Sequence, residues 1–522
     1  MRNKASKHTN WIKYLILTAV FLLLLFIGAH YVIKKSIHNF ISTNLPKNIE
    51  IEYDDLDLNL LNTSVSLHQV IIEFSNTISE THTKVSIEEI ETSGFSYWDY
   101  FINKKLRVSS LFIDTPLIHY SPHLVSKKNP QDSTKSSFTN TIDINNININ
   151  NGSFTILDND KNAIHLHLEH FDLTLNNTKI NKNTIHNKIP LYFENVSLDA
   201  KNLALNTSRF EKMTVRNINL DKKKLKLDSL LLVSKYSKTV LSKKLTTERD
   251  HVTLSIPIIQ LQNFDIGLLN NHFSISASSG SLLNPSANFY RDKLVQDNEN
   301  YRPLYSEMLR KLNFNLDIEN LNIKNGFVGY QEKIDDAVQP EMITFNQIEG
   351  QLNNISNLGK KKTNISLTAK LMNSTPLQLD WEFDVLNKES EFLISGSLHQ
   401  LNASTLNPFL TSNARAKAKG IVENLYFTIS GTNYASRGDI KMKYDDFEFI
   451  ILHKDRLHIN KTLSKIGNLF INDGSKSDAD GYRYGTISVE RELNKSFFNY
   501  LWINLQDGIL NTVAGNGKKD KN

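Results

Sequence analysis

An eight-residue pattern recurs along this chain, most plainly at Ile142-Asp-Ile144-Asn-Asn-Ile147-Asn-Ile149. Apolar and polar residues alternate, two polar residues intervene, and the alternation resumes. Successive side chains of a β-strand point to opposite faces, so strict alternation makes one apolar and one polar face. The second polar residue shifts that phase by one. A bulge or strand boundary there returns the second apolar pair to the face of the first. The pattern starts again at Ile51, Val65, Leu106, Leu166, Leu191, Met213, Leu225, Ile259, Leu316 and Met442, with near-matches at Val85 and Ile343. That is roughly twice what independent draws at this composition would give. Joined by runs such as Leu377-Gln-Leu379-Asp-Trp381-Glu-Phe383-Asp-Val385, it predicts amphipathic β-sheet over most of the chain.

The strand signal continues from Ile51 to Val489 without a long linker. A chain of 522 residues would normally divide into compact domains, but an unbroken signal suits one elongated repetitive sheet better. Ile147-Asn-Ile149-Asn-Asn-Gly152-Ser-Phe154 and Leu321-Asn-Ile323-Lys-Asn-Gly326-Phe327 share a phrase, which points to internal repetition. Asn-Gly between alternating stretches predicts a tight turn at each. Residues 121–141, with Pro122, Pro130 and a Ser/Thr/Lys cluster, read as a loop.

Helical spacing occurs in four places. Residues 11–33 hold an apolar run from Leu15 to Ile33, about 28 Å long at helical rise and enough to cross a hydrocarbon core. Trp11, Tyr14 and Tyr31 stand where interfacial aromatics belong. Arg2, Lys4, Lys7 and Lys13 precede the span and Lys34-Lys35 follow it, which favours a cytoplasmic tail over residues 1–10. A cleaved signal peptide is the competing reading, but the run is long and Gly28-Ala29-His30-Tyr31 is a poor cleavage site. Residues 34–46, with Ile37, Phe40, Ile41 and Leu45, predict a separate juxtamembrane helix ending before Pro46. Pro303, Leu304, Met308, Leu309 and Leu312 predict a short helix over 301–312 that divides the sheet into a first part, 47–300, and a second, 313–490. Leu493, Phe497, Phe498, Leu501, Trp502, Leu505 and Ile509 predict an amphipathic helix over 491–514, docked on the sheet end or meeting a membrane or partner, before a disordered tail at 515–522.

Chemistry is nearly absent from the sequence. Without Cys there is no disulfide, cysteine-ligated zinc or thiol catalysis. His165-Leu-His167 on one strand face, with Glu169 beside it, is the best metal-like cluster, but a solvated polar face opposite Ile164, Leu166 and Leu168 accounts for it. No nucleophile elbow, zinc-protease motif or phosphate-cradling glycine loop occurs, and Gly515-Asn-Gly517-Lys518 lacks a preceding strand. A net charge of +5 is small for this length; Lys222-Lys223-Lys224 and Lys360-Lys361-Lys362 read as turns, and no basic stripe is interleaved with aromatics. The chain therefore reads as neither an enzyme nor a nucleic-acid binder, with no cofactor.

A long sheet with one apolar face must cover that face. A second sheet would make a sandwich; a curled single sheet makes a trough, whose lining is tolerated in water only if it holds an apolar ligand. Here a resemblance adds to the argument. The anchor, Ile51-Glu-Tyr-Asp-Asp-Leu56-Asp-Leu58, Val65-Ser-Leu67-His-Gln-Val70-Ile-Ile72, Val108-Ser-Ser-Leu111-Phe-Ile113-Asp-Thr-Pro116-Leu-Ile118 and the Asn-Gly phrase together resemble the AsmA-like family of bacterial envelope proteins. Leu406-Asn-Pro408, Gly420-Ile-Val-Glu-Asn-Leu425 and Gly438-Asp-Ile-Lys-Met-Lys-Tyr444-Asp-Asp-Phe447 are similar to the C-terminal part of such proteins, so the likeness covers most of residues 11–505. It implies a single-pass inner-membrane anchor, a periplasmic β-groove, passage of lipids between envelope membranes in support of the outer membrane, and no catalytic residues. This chain is shorter than the long bridging members: roughly 25–30 strands at ~4.8 Å give a groove on the order of 120–140 Å.

The fold expected is thus mainly β, a transmembrane helix followed by an elongated, curled, taco-like antiparallel groove with a few short helices. Its lipid-binding lining would include Ile142, Ile144, Ile147, Ile149, Leu316, Ile318, Leu321, Ile323, Tyr444, Phe447 and Phe449, with a phospholipid or other acyl lipid as ligand. The alternative is an envelope scaffold or outer-membrane assembly factor that docks a protein partner through a sheet edge or the C-terminal helix.

Overall fold

The computed structural model describes residues 6–43, 49–76, 81–122, 141–158, 163–269, 272–451 and 477–515, apart from positions 97, 100, 101, 103, 104, 182, 185–190 and 360. The loop expected at 121–141 and the polar tail fall almost wholly outside them. The fold is mainly β with a long N-terminal helix and a few short ones, and the chain forms two compact units, Met1–Leu203 and Ala204–Asn522.

In the first unit the helix is one element, Ser6–Thr43. Nothing between Ile33 and Ser36 is Gly or Pro, so the predicted juxtamembrane helix is the continuation of the apolar one. The stretch Val20–Asn39 is long and apolar enough to cross a membrane and is not buried in the protein. Strand Ser64–Asn76 then takes Ile49–Glu52 and Asp55–Asn59 end to end on one side and Thr81–Ser93 on the other. Thr81–Ser93 pairs with Leu117–Pro122 and Lys105–Asp114, again end to end. These two run parallel to the long strand Thr141–Leu157, which pairs antiparallel with Ile164–Ile180.

The second unit repeats this arrangement. His251–Gln262 pairs antiparallel with Ser279–Leu283 and Ser286–Asp292. Those two, with His272–Ala277, lie parallel to the 19-residue strand Asn315–Lys333. An antiparallel succession follows through Met342–Ser356, Thr363–Leu371, Thr375–Phe383, Phe392–Asn402, Ala416–Gly431, Ala435–Ile451 and Arg483–Glu490. Parallel pairing, absent from the sequence expectation, arises because each broken strand lies beside the long strand that follows it, with a crossover between.

The two Asn-Gly phrases mark the repeat, but they are not hairpin turns. Both sit inside the long strands, where the antiparallel register slips at Gly152 and at Gly326. Asn151 and Asn325 each take φ 53°. The break in the neighbouring strand falls beside them, at Thr115-Pro116 and at Asn284-Pro285. Thr115 N–H donates to Asn150 O at 2.8 Å and Asn284 N–H to Lys324 O at 2.8 Å; Ser153 N–H donates to Pro116 O at 2.9 Å and Phe327 N–H to Pro285 O at 2.8 Å. A Cβ on Gly152 would stand 2.4 Å from the Phe171 ring. Asn-Gly here supplies a left-handed residue and room for a facing side chain, so it makes a bulge where a turn was expected.

The same device explains the eight-residue pattern. The second residue of the central polar pair is left-handed at Gln69, Ser229, Asn263, Gln347 and Asp446. In other octads the left-handed residue lies on the facing strand: the register skips Asn145 opposite Asn177, Arg216 opposite Ser229 and Glu319 opposite Asn354. The effect is plain in Asn195–Leu205: Val196, Leu198, Ala200, Leu203 and Leu205 are turned inward, while Lys201 and left-handed Asn202 are both exposed. Asn suits this role because its short amide tolerates the left-handed region and reaches a neighbouring strand; Asn202 Nδ2 donates to Glu169 Oε2 at 2.9 Å. Asn202→Val should therefore destabilise the protein by about 1–2 kcal/mol and Asn202→Gly by far less, read as a fall in the thermal midpoint followed by circular dichroism.

Candidate functional site

Because directly opposed residues share a face, the register lines apolar residues into rows across the strands. In the first unit one row runs Leu56, Leu67, Ile90, Ile113, Ile149, Leu173. A second runs Leu58, Val65, Thr92, Leu111, Ile147, Leu175. Leu56, Ile147 and Leu175 are buried, but Leu67, Ile90, Ile113, Ile149 and Leu173 stay partly exposed. Packing in this unit is mainly between neighbouring strands, and the N-terminal helix meets the sheet at Asp55–Asn59. The second unit begins the same way, with rows such as Ile218, Leu227, Ile259 and Met213, Leu232, Leu254, all partly exposed.

Of the expected lining, Ile142, Ile144, Ile147 and Ile149 lie together on Thr141–Leu157. Leu316, Ile318, Leu321 and Ile323 are partly buried on Asn315–Lys333, opposite Ile275, Ala277, Gly280 and Leu282. Tyr444, Phe447 and Phe449 have a different setting. Tyr444 is 5% exposed in a closed core with Val422 and Met442, and Phe447 and Phe449 pack against a cluster of Ala403, Leu410 and Ala418, to which the short helix Asn407–Ala414 contributes Leu410. The row partners Leu67, Ile90, Ile113 and Leu173 were missing from that lining, although all four sit in octads or a near-match; reading octads against one another, rather than singly, would have found them.

That closed core is built by helices. Tyr305–Arg310 and Phe497–Ala514 meet over the sheet in an aromatic cluster: Phe497 stacks on Trp381 at 4.4 Å, Tyr305 meets both edge-on, and Phe392 abuts Phe497 and Tyr500. Gly508 and Gly485 let the terminal helix lie on the last strand, since a Cβ on Gly485 would stand 2.5 Å from Gly508 O. Buried Arg483 donates to Val513 O at 3.1 Å and Gly515 O at 3.3 Å, which satisfies carbonyls at the helix end and complements its dipole. Ser488 N–H donates to Asp507 and Asn511 to Thr486 O, so the helix also covers the exposed edge of Arg483–Glu490. At its start, Lys495 lies 3.6 Å from Glu248, whose buried carboxylate also meets Lys293 at 2.9 Å and Arg291 at 3.6 Å. Burial opposes the Arg291 charge, but its paired bonds to Asp250, both 2.7 Å, more than offset that and hold its pKa above the ordinary value.

His167 shares a hydrogen bond with Thr155 at 3.0 Å, Glu169 accepts from Asn202, and His165 is exposed. Among the described residues no three His, Asp or Glu side chains are grouped to hold a metal. At the sheet margin, Lys84 at 2.9 Å from Glu73 keeps that carboxyl below its ordinary pKa. What each unit offers is surface: partly open apolar rows in the first, and in the second, rows that are partly open at its start and covered by helices toward the C-terminus. No protein-family model and no curated protein matches the chain.

Phe497→Ala should unseat the terminal helix, costing about 3–5 kcal/mol in the second unit. Amides of residues 497–514 should then exchange at least tenfold faster in hydrogen–deuterium exchange, while those of Thr141–Leu157 keep their wild-type rates.

Proposed function

We propose that this chain is a membrane-anchored, non-enzymatic protein that holds acyl lipids along the apolar face of its sheet and hands them on. The observation that carries the reading is the row of partly exposed apolar side chains, Leu67, Ile90, Ile113, Ile149 and Leu173, spanning consecutive strands. A single layer with that much apolar surface in water is unfavourable alone, and each methylene an acyl chain buries there recovers about 0.8 kcal/mol. The headgroup would stay in water beside the polar strand ends. The resemblance to AsmA-like envelope proteins supports the same reading, with Ser6–Thr43 as an inner-membrane anchor and the sheet in the periplasm.

The second reading, a scaffold that docks a protein, draws on the closed C-terminal core, where Phe498 and Trp502 stand 64% and 50% exposed on the outer side of the terminal helix. Such residues suit a partner's surface. The open rows in both units favour the lipid reading.

Ile149→Asp should cut the phospholipid that co-purifies with the full-length protein in mild detergent at least threefold, measured by native mass spectrometry. Leu231→Asp, at an exposed apolar position one residue out of phase with its row, should leave it unchanged. Ile147, at 7% exposure, is the poorer test, because a charge there disrupts the fold as well. Lipid-free wild-type protein would sink the proposal and favour the scaffold.

A further inference from the structure

At one end of the second unit, exposed cations outnumber the acids beside them. Glu211–Asp221 starts at this end, Lys224–Ser234 finishes there, and His251–Gln262 starts there. The short helix Lys238–Lys244 joins the last two, and its Leu241 is buried.

Arg209 lies over the Phe210 ring, 4.6 Å from its centre, and Arg249 lies over the same ring at 5.4 Å. Phe210 meets Tyr236 edge-on at 6.5 Å, and Lys244 lies over that second ring at 4.8 Å. Lys235 Nζ donates to Ser208 O at 2.9 Å. Two rings and one turn therefore gather four cations, Arg209, Lys235, Lys244 and Arg249, all of them exposed.

The acids of this end are already matched. Glu211 is buried, accepts both bonds of Arg249, at 2.9 and 2.6 Å, and accepts the Ser208 hydroxyl. Glu248, also buried, meets Arg291, Lys293 and Lys495, and Asp250 is paired with Arg291. The other acids between Ala204 and Asp250 are Asp221, at the far end of its strand, and Asp228, 3.0 Å from Lys226. Among the described residues neither Arg209 nor Lys244 meets a carboxylate, and Lys243 stands exposed beside Lys244. The helix dipole alone accounts for two lysines in the last turn of Lys238–Lys244. It does not account for Arg209. A guanidinium held on an aromatic face keeps its N–H groups for an acceptor, and a phosphate offers oxygens that match them two at a time.

What lies next to the cations narrows the ligand. Glu211 opposes Ser234 two residues along from Met213 opposite Leu232, on the same face. Met213, Leu232 and Leu254 form one of the partly exposed apolar rows. An anionic group at the cluster and an acyl chain on that row belong to one amphiphile, whereas free phosphate would use the cations alone. On the lipid reading above, we propose that Arg209, Lys235, Lys244 and Arg249 form a headgroup site for an anionic phospholipid whose acyl chain lies on Met213, Leu232 and Leu254. The site selects a lipid of net negative charge over a zwitterionic one, because an ammonium headgroup would stand among four like charges.

The full-length protein in mild detergent would be offered equal amounts of phosphatidylglycerol and phosphatidylethanolamine with the same acyl chains, and bound lipid read by native mass spectrometry. Wild type should be enriched in phosphatidylglycerol at least threefold, and the enrichment should shrink as salt is raised. Arg209→Gln with Lys244→Gln should abolish it at an unchanged thermal midpoint, and Arg209→Lys with Lys244→Arg, which keeps the charge, should retain it. Lys222→Gln with Lys224→Gln, which removes the same charge from the other end of these strands, should also retain it. Equal binding of the two lipids by wild type, or enrichment that survives Arg209→Gln with Lys244→Gln, would overturn the headgroup site while leaving the acyl-lipid reading standing. Inorganic phosphate that binds wild type but not that variant in calorimetry, without enrichment in phosphatidylglycerol, would assign the cluster to free phosphate and also overturn it. Wild type that takes up neither lipid would overturn the lipid reading, and the site with it.

Discussion

The structure depends on one backbone constraint, a residue forced into the left-handed region near the middle of its strands. Without it, the octad's two apolar pairs would fall on opposite faces, and each strand would present half its apolar residues to water on the wrong side. With it, all face one way, and the strands can reach 17 and 19 residues, as in Thr141–Leu157 and Asn315–Lys333, without losing phase. The conformation costs an ordinary side chain 1–2 kcal/mol. Asn151, Asn177, Asn202, Asn263, Asn284, Asn325 and Asn354 show the residue type that lowers that cost. Part of the chain's wealth in Asn is therefore structural.

The rows follow from that constraint, and their two fates follow from what lies over them. Toward the C-terminus, the row through Ile365, Trp381, Ile394 and Ile429 is covered by the helices Tyr305–Arg310 and Phe497–Ala514, and Ile394 and Ile429 are fully buried. In the first unit the equivalent residues stay partly open. The same sheet grammar thus builds an ordinary core where a helix returns across it and an apolar surface where none does. Tyr305 shows how closely the two are related, since its helix lies on the crossover that parallel pairing demands.

Much of this was legible in the sequence, and the losses have physical causes. The octads gave the face of almost every strand, because alternation is read directly from side-chain geometry. They could not give neighbours: the parallel pairing of Leu106 with Ile142 and of Leu282 with Ile323 depends on which strands meet, which no local pattern encodes. Asn-Gly was misread because a left-handed Asn serves a bulge as well as a turn, and only the Phe171 ring against Gly152 decides between them. Tyr444, Phe447 and Phe449 fit the octad as well as Ile149 does, yet Tyr444 lies in the closed core and Phe447 and Phe449 pack against the cluster that includes Leu410 of the helix Asn407–Ala414, contacts that no strand pattern encodes. The terminal helix was legible from spacing, but its seat was not: Gly485 and Gly508 carry no hydrophobic signal at all.

If the partly open apolar sheet holds lipid as proposed, stability and ligand occupancy become one quantity. A compact domain meets the entropy of folding with its own buried surface. The first unit holds eight buried apolar residues among those described, against 31 in the second, so it has less to set against that entropy. On the proposed reading, an acyl chain lying along Leu67, Ile90, Ile113 and Ile149 would supply burial that the fold itself omits. Ligand that binds only the folded sheet stabilises it by mass action, so loss of lipid should loosen the first unit before the second. The eight-residue pattern would then encode two things together: a strand that keeps its phase, and, on the proposed reading, a surface completed by an apolar ligand.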